Sequence, residues 1–383
     1  MTLSPIIYVA DEHSLDQLAQ TLAHSPVVSV DTESNSLHAY RERVCLIQIS
    51  TTTADYIVDP IALPNLRGLA PVFANASQQK ILHAAENDLV CLRRDYQFAF
   101  ANVFDTMTAA RTLGWAQVGL APILSTHFGV TMNKKYQRAD WKRRPLTPEQ
   151  LEYARLDTHY LAALRDKQFD ELMAAGRWPE AQEEYERLAR GRGEHNGAAP
   201  SAPTFWRVKG ARDLSPQQAA VLGALFAYRE REAERLDRPP FKVMAEAILM
   251  ELVRRTPGRV EDLHGVTGLA PEQVRRHGQA LLHAIREGLD APAQHPPREA
   301  REPDEVRDRY DRLHTWRKER ARARGVESDV IVPRTTLQDL ARRAPTTRDE
   351  LATIQDFGPW RRHTYGDEIL ALLAGSTPRP EAA

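Results

Sequence analysis

Two stretches in the C-terminal half of this 383-residue chain repeat one another at a constant offset of 88 positions. Eleven identities fall in that register without a gap, among them Leu225/Leu313, Arg229/Arg317, Leu249/Leu337, Arg255/Arg343, Leu263/Leu351 and Gly278/Gly366. Several are three or four residues apart, the spacing that places side chains on one helical face. A register held over such a length marks a duplicated unit, so both copies must share one fold. The reading is two small all-α domains. Two stretches rich in Gly, Pro, Ala and charge, with no apolar face, set them off: GRGEHNGAAPSAP (Gly191 to Pro203) and DAPAQHPPREAREP (Asp290 to Pro303). The boundaries expected from them are 1–200, 204–290 and 303–376, with a tail at 377–383.

Residues 1–200 follow a different pattern. VVSVDTE, VCLIQIS, DYIVDP and KILHAA are short runs rich in Val and Ile that read as strands. SLDQLAQTLA, ENDLVCLRR, TMTAARTLG, LAPILSTHFG and one long segment from Thr147 to Gly176 read as helices. The last opens on Thr147 as N-cap, with Pro148 at the first helical position and Gln150 three residues after the cap. Such alternation predicts an α/β layer around a mixed sheet. Cys45 and Cys91 both sit in apolar runs, as small buried hydrophobes of a reducing compartment do. The net charge of −1 argues against a protein that coats nucleic acid by bulk charge, and no apolar run is long enough to span a bilayer. The N-terminus lacks the signal-peptide pattern, so a cytoplasmic location and no membrane partner are expected.

The chemistry concentrates on acids. In VVSVDTESNSL, Asp31 and Glu33 stand two residues apart at the end of a strand, so both point to one face and repel. Asp88 follows the strand KILHAA near a helix start, where the dipole favours an acid for purely structural reasons. Tyr153 and Asp157 lie at i and i+4 of a helix, hence on one face. Each acid alone reads as an ordinary surface carboxylate. Together, four carboxylates form the all-oxygen donor set that hard divalent cations such as Mg2+ or Mn2+ require.

The ordered set VDTES, LHAAENDLVCL and YARLD resembles the three exonuclease motifs of the DEDD superfamily in its tyrosine-bearing branch. KKYQRADWKRRPLTPEQLEYARLDTHYL resembles the segment that marks ribonuclease D, and the duplicated unit resembles the HRDC domain. The resemblance implies a ribonuclease H-like mixed sheet flanked by helices, followed by two small all-α domains. It places the motif acids at Asp31, Glu33, Asp88 and Asp157 and the branch tyrosine at Tyr153. The sister branch would have a histidine at position 152, which is Glu152 here. It further implies two bound ions, Mg2+ or Mn2+, with Asp31 bridging both, Glu33 and Asp157 completing one site and Asp88 supporting the other. Tyr153 would hydrogen-bond the attacking water.

The substrate path is carried by NKKYQRADWKRR, Asn133 to Arg144, with six basic residues, one acid and interleaved Tyr136 and Trp141. Basic residues among aromatics suit a single strand, whose phosphates take the charge and whose bases stack. The structural alternative is a solvated loop with Trp141 simply packing. Lys135, Arg138, Trp141 and Arg144 are the substrate contacts expected here, with Gln48, His83 and Asn87 as further candidates near the acids. His83 reads first as a structural histidine. Arg254, Arg255, Arg342 and Arg343 recur in both copies and could face phosphates or solvent.

The function expected from the resemblance is a 3'-to-5' exoribonuclease that releases nucleoside 5'-monophosphates. Its partner would be RNA with a single-stranded 3' end, tRNA precursors and other stable RNAs above all. The rivals are a DNA exonuclease acting in repair or beside a helicase, and a catalytically silent RNA-binding scaffold.

Overall fold

The computed structural model describes residues 5–191, 205–297 and 302–375, so the expected tail and most of the first linker lie outside the described residues. The elements in chain order are β1 (Ile6–Val9), α1 (Glu12–Ala23), β2 (Val27–Ser34), β3 (Val44–Ser50), β4 (Asp55–Val58), α2 (Ala70–Ala74), β5 (Gln79–Leu82), α3 (Glu86–Tyr96), β6 (Val103–Asp105), α4 (Thr106–Leu113), α5 (Leu120–Phe128), α6 (Pro148–His159), α7 (Leu161–Ala174) and α8 (Trp178–Arg190). The first copy of the repeat supplies α9 (Pro216–Arg235), α10 (Pro240–Val243), α11 (Glu246–Arg255), α12 (Val260–Leu263) and α13 (Pro271–Asp290). The second supplies α14 (Asp304–Arg324), α15 (Ser328–Ile331), α16 (Arg334–Arg343), α17 (Arg348–Ala352) and α18 (Pro359–Leu373). Two compact units result, one of residues 1–34, 44–193 and 301–383, the other of 35–43 and 194–300.

The first unit is built on a six-stranded sheet of order β1-β4-β3-β2-β5-β6. The β2–β3 and β3–β4 pairs are antiparallel, and β1–β4, β2–β5 and β5–β6 are parallel, which is the mixed sheet expected. Period two sorts the side chains. Val28, Val30, Ile47, Ile49 and Val58 point into one core with α1 and α3. Leu46 and Ile57, on the opposite face, pack with Tyr153 and Ala154 of α6. β1 and β6, four and three residues long, carried no alternation for the sequence to show. The long helix expected from Thr147 is two. Tyr160 caps α6 with φ −93° and ψ −4°, and α7 restarts at Leu161. The capping box itself is present, Gln150 N–H donating to Thr147 Oγ1 and Thr147 N–H to Gln150 Oε1.

The two copies agree in detail. α11 and α16 each run ten residues and end on a non-glycine in the left-handed region, Thr256 (φ 41°) and Ala344 (φ 45°). Arg255 donates to the Gly265 carbonyl at 2.6 Å, and Arg343 to the equivalent Thr353 carbonyl at 2.9 Å. These two arginines tie a helix end to a turn.

Within the first unit the second copy is seated on α8 through buried charge. Arg361 Nη1 donates to Glu183 Oε1 at 2.7 Å, with side chains 4% and 7% exposed. The other oxygen of Glu183 accepts the backbone N–H groups of Trp360 at 2.7 Å and Arg361 at 3.4 Å, at the start of α18. Gly358 precedes them because a Cβ there would overlap the Glu183 carboxylate. Arg324 forks onto Glu180 at 2.8 and 2.5 Å. The first copy has Gln273 and Leu236 at the positions of Arg361 and Arg324, so this seating belongs to the second copy alone.

Candidate active site

The site forms where the antiparallel centre of the sheet meets two helices. Asp31 and Glu33 leave β2 on the face covered by α6, and a register shift follows between Glu33 and Ser34, the local twist by which a bulge re-aims a strand end. Both are half-buried, whereas Asp88, Tyr153 and Asp157 are buried. Asp88 lies in the first turn of α3 and accepts a 2.5 Å hydrogen bond from Thr32 Oγ1. The loop that delivers it is pinned by Asp105, which accepts from the N–H groups of Ala84 at 2.9 Å and Ala85 at 3.2 Å while capping α4. Ala84 there adopts φ 60°. Thr32 and Asp105 were not foreseen as supports. An aspartate just before the helical run TMTAAR carries an N-cap signal, but nothing in sequence tells which loop it also holds.

The acids feel one another. Burial raises the Asp31 carboxyl well above the usual carboxylate range, and the charges of Asp88, Asp157 and Glu33 raise it further. Glu33 is pushed up to about 9 by burial and by Asp157 and Asp88. Asp88 is pushed up to about 7, chiefly by burial, and Asp157 rises well above its ordinary value for the same reason, with Asp88 adding to it. The Tyr153 phenol is raised by burial and by Asp157, Glu33 and Asp31, so it stays protonated at neutral pH and is a donor. The rings of Tyr136 and Trp141 lie 6.0 Å from the Tyr153 ring and hold it.

Among the described residues no three His, Cys, Asp or Glu side chains are drawn into a closed metal-ligand cluster. The donor chemistry nevertheless fits a hard cation. The Oδ2 atom of Asp157 is buried with no hydrogen-bond partner, and the set that raises its members by mutual repulsion is all oxygen.

The expected substrate contacts divide. Lys135 and Arg138 are exposed in the turn Lys134–Arg138, and Asn87 is exposed beside Asp88. His83 is half-buried, its Nδ1 2.9 Å from Thr106 Oγ1, its proton disfavoured by burial with Asp105 partly offsetting. Three expectations are corrected. Trp141 is 1% exposed and packs with Cys45, Leu46 and Ile57, so it supports Tyr153 and offers no face to a base. Arg144 is engaged by Asp59 at 2.6 and 2.7 Å and by the carbonyls of Trp141 and Cys45, so its guanidinium closes the core rather than meeting a phosphate. Gln48 is fully buried, opposite Asp31 in the β2–β3 register, and has no surface for a substrate.

Comparison with known proteins assigns the class. Residues 6–172 match the family model described as a 3'-5' exonuclease, and residues 218–285 and 306–373 each match the HRDC domain, the same 88-residue offset. The chain is 32% identical over 286 residues to ribonuclease D of Shewanella, covering 74% of this chain and 73% of that protein. It therefore belongs to the ribonuclease D family. It is also 31% identical to the yeast exosome complex exonuclease RRP6 over 74% of this chain, but spans only 40% of that relative's length. The crystal structure of Escherichia coli RNase D, described as an exoribonuclease involved in structured RNA processing, shares the fold, with a TM-score of 0.70 at 22% identity over 99% of this chain and 100% of that one. Among the described residues no helix is long and apolar enough to cross a membrane.

Proposed function

We propose that the protein is a cytoplasmic, divalent-metal-dependent 3'-to-5' exoribonuclease that releases nucleoside 5'-monophosphates one at a time from single-stranded RNA ends. The observation that carries this reading is the convergence of Asp31, Glu33, Asp88 and Asp157 with a protonated Tyr153 in a chain of the ribonuclease D family. Trimming of tRNA precursors and other stable RNAs is the substrate class in view.

In this reading Asp31, Glu33, Asp157 and Asp88, the last oriented by Thr32, would together hold the divalent metal. Bound Mg2+ or Mn2+ supplies charge stabilisation for the attacking and leaving oxygens. The Tyr153 hydroxyl donates to the attacking water and fixes its direction, a role that needs the phenol neutral. Lys135 and Arg138 meet phosphates of the incoming strand, with Asn87 and His83 near its terminal nucleotide. Replacing Tyr153 by Phe keeps the packing with Tyr136 and Trp141 and removes the donor. The expected result is a loss in kcat of about 10²-fold with an unchanged melting temperature; unchanged kcat would remove Tyr153 from the mechanism.

The raised carboxyls give a pH signature. A carboxyl whose folded-state pKa is raised stabilises the protein while protonated, and that contribution fades as pH climbs from the unfolded value towards the folded one. With Asp88 at about 7 and Glu33 at about 9, metal-free protein should lose melting temperature across neutral pH. Mg2+ or Mn2+ should restore it, more strongly at higher pH, because cation and proton compete for the same oxygens. A melting temperature flat in both variables would contradict a shared metal site. The rival DNA exonuclease is separated by single-turnover digestion of matched strands: RNA degraded faster supports the proposal, and DNA degraded faster replaces it.

A further inference from the structure

The duplication lets each position of one helical domain be read against its twin. In the first copy the N-terminal half of α9 is covered. Val208 and Ala211, with Phe205 and Trp206, pack into the same core as Leu222, Met250 and Val253. The end of α13 closes on it as well, Gly288 lying against the backbone of Val221 where no Cβ would fit. In the second copy the equivalent positions have changed character. Buried Ala219, Leu222 and Met250 become Arg307, Tyr310 and Gln338, half-buried Leu214 becomes Glu302, and the exposed Glu246 becomes Arg334. The last helix is also shorter, fifteen residues in α18 against twenty in α13. What is packed core in one copy is therefore an open cleft of about 190 Å³ in the other, lined by Val306, Arg307, Tyr310, Arg334 and Gln338 among others.

The cleft has a particular chemistry. Tyr310, which lines it, is backed by His314 behind the lining, ring centroids 5.7 Å apart and planes within 12°. His314 stands where the first copy has Phe226. Burial and the charges of Lys318, Arg317 and Arg334 all disfavour its proton, with only Asp311 opposing, so the pair is a neutral aromatic shelf in a positive field. Arg334 is exposed and makes no ion pair among the described residues. Arg307 and Arg342 are held by Asp304 at 2.9 Å and Glu302 at 2.7 Å, exposed pairs that a phosphate can replace at small cost. A flat aromatic pair beside guanidinium groups is the combination that takes a base on one side and its phosphate on the other. An acidic peptide would use the guanidiniums and leave the rings idle.

We propose that this cleft binds one nucleotide of single-stranded RNA, the base against the Tyr310 ring, which His314 backs, and the phosphate on Arg334 and Arg307. The inference rests on the exoribonuclease reading and adds a contact outside the carboxylate cluster, in the second helical domain and not the first. The test uses the full chain in EDTA with a 5'-fluorescein-labelled single-stranded RNA, read by anisotropy. Tyr310→Ala should weaken binding about 5- to 100-fold, the range of one lost base stack. Tyr310→Phe should stay within about twofold of the unmodified protein, since the ring is kept. Arg334→Gln should weaken binding and lower the salt slope by about one unit. With metal present, kcat at saturating RNA should be unchanged in all three. Unaltered affinity in Tyr310→Ala, with an unchanged melting temperature, overturns the cleft alone, as does loss in Arg334→Gln without loss in Tyr310→Ala. Failure of the unmodified chain to bind RNA overturns both the cleft and the function on which it rests.

Discussion

Asp31→Asn is expected to lower RNA hydrolysis by about 10²–10³-fold or more while the protein melts no lower than the parent. The two halves of that expectation have one cause. Asp31 is the acid on which the charges of Asp88, Asp157 and Glu33 all converge, so a neutral side chain relieves repulsion in the metal-free fold. The same change would remove a carboxylate from the proposed metal-holding set. A residue that merely stabilised the strand end would behave in the opposite way, with activity kept and melting temperature lost. Steady-state rates with Mg2+ and Mn2+, taken with thermal melts in EDTA, separate the cases. Asp157→Asn should give the same pattern, since its unpartnered buried oxygen gains nothing from the fold that the amide forfeits.

The largest effect on stability is expected at Glu183. Its carboxylate pairs with the buried Arg361 and also accepts two backbone N–H groups at the start of α18. Glu183→Ala leaves the buried Arg361 charge with only the more distant Glu184 carboxylate at 3.7 Å and those N–H groups without an acceptor, at a cost of about 3 kcal/mol. Hydrogen exchange should show it first in α8 and α18. Arg361→Met combined with Glu183→Gln should recover much of the loss, because the poorly compensated buried charge is gone and one backbone acceptor returns. By contrast the exposed contacts of Arg111 with Glu327 and Asp329, both at 2.6–2.7 Å, are worth about 0–1 kcal/mol and should fade with salt. A melt unmoved by Glu183→Ala would show that the second helical domain is seated by its apolar contacts alone.

The acids were legible because their spacing is local. Two residues in a strand and four in a helix fix Asp31 with Glu33, and Tyr153 with Asp157, on shared faces before any tertiary structure is known. The duplication was legible for a similar reason, since a constant offset needs no partner. What stayed hidden is what depends on partners far along the chain. Arg144 sits in a basic run and looks exposed, but its partner Asp59 is 85 residues away. Glu183 and Arg361 are separated by 178 residues and look like two surface charges until they meet in the interior. Trp141 reads equally as a stacking platform or as a packing side chain, and only the wall formed by Leu46, Ile57 and Tyr153 decides between them. The polar lining of the second copy's cleft lies between these extremes. Each substitution is visible in the sequence, but its sense appears only when the twin shows what once filled the space.

The most direct test of the central claim is digestion of a 5'-labelled single-stranded RNA, with products resolved at one-nucleotide steps and released nucleotides identified. Metal-dependent 3'-to-5' exonucleolysis at the carboxylate cluster predicts a ladder shortening from the 3' end in Mg2+ or Mn2+, nucleoside 5'-monophosphates as the small product, and no ladder in EDTA or with Asp31→Asn. Internal cuts, shortening from the 5' end, or the same ladder in EDTA would contradict it.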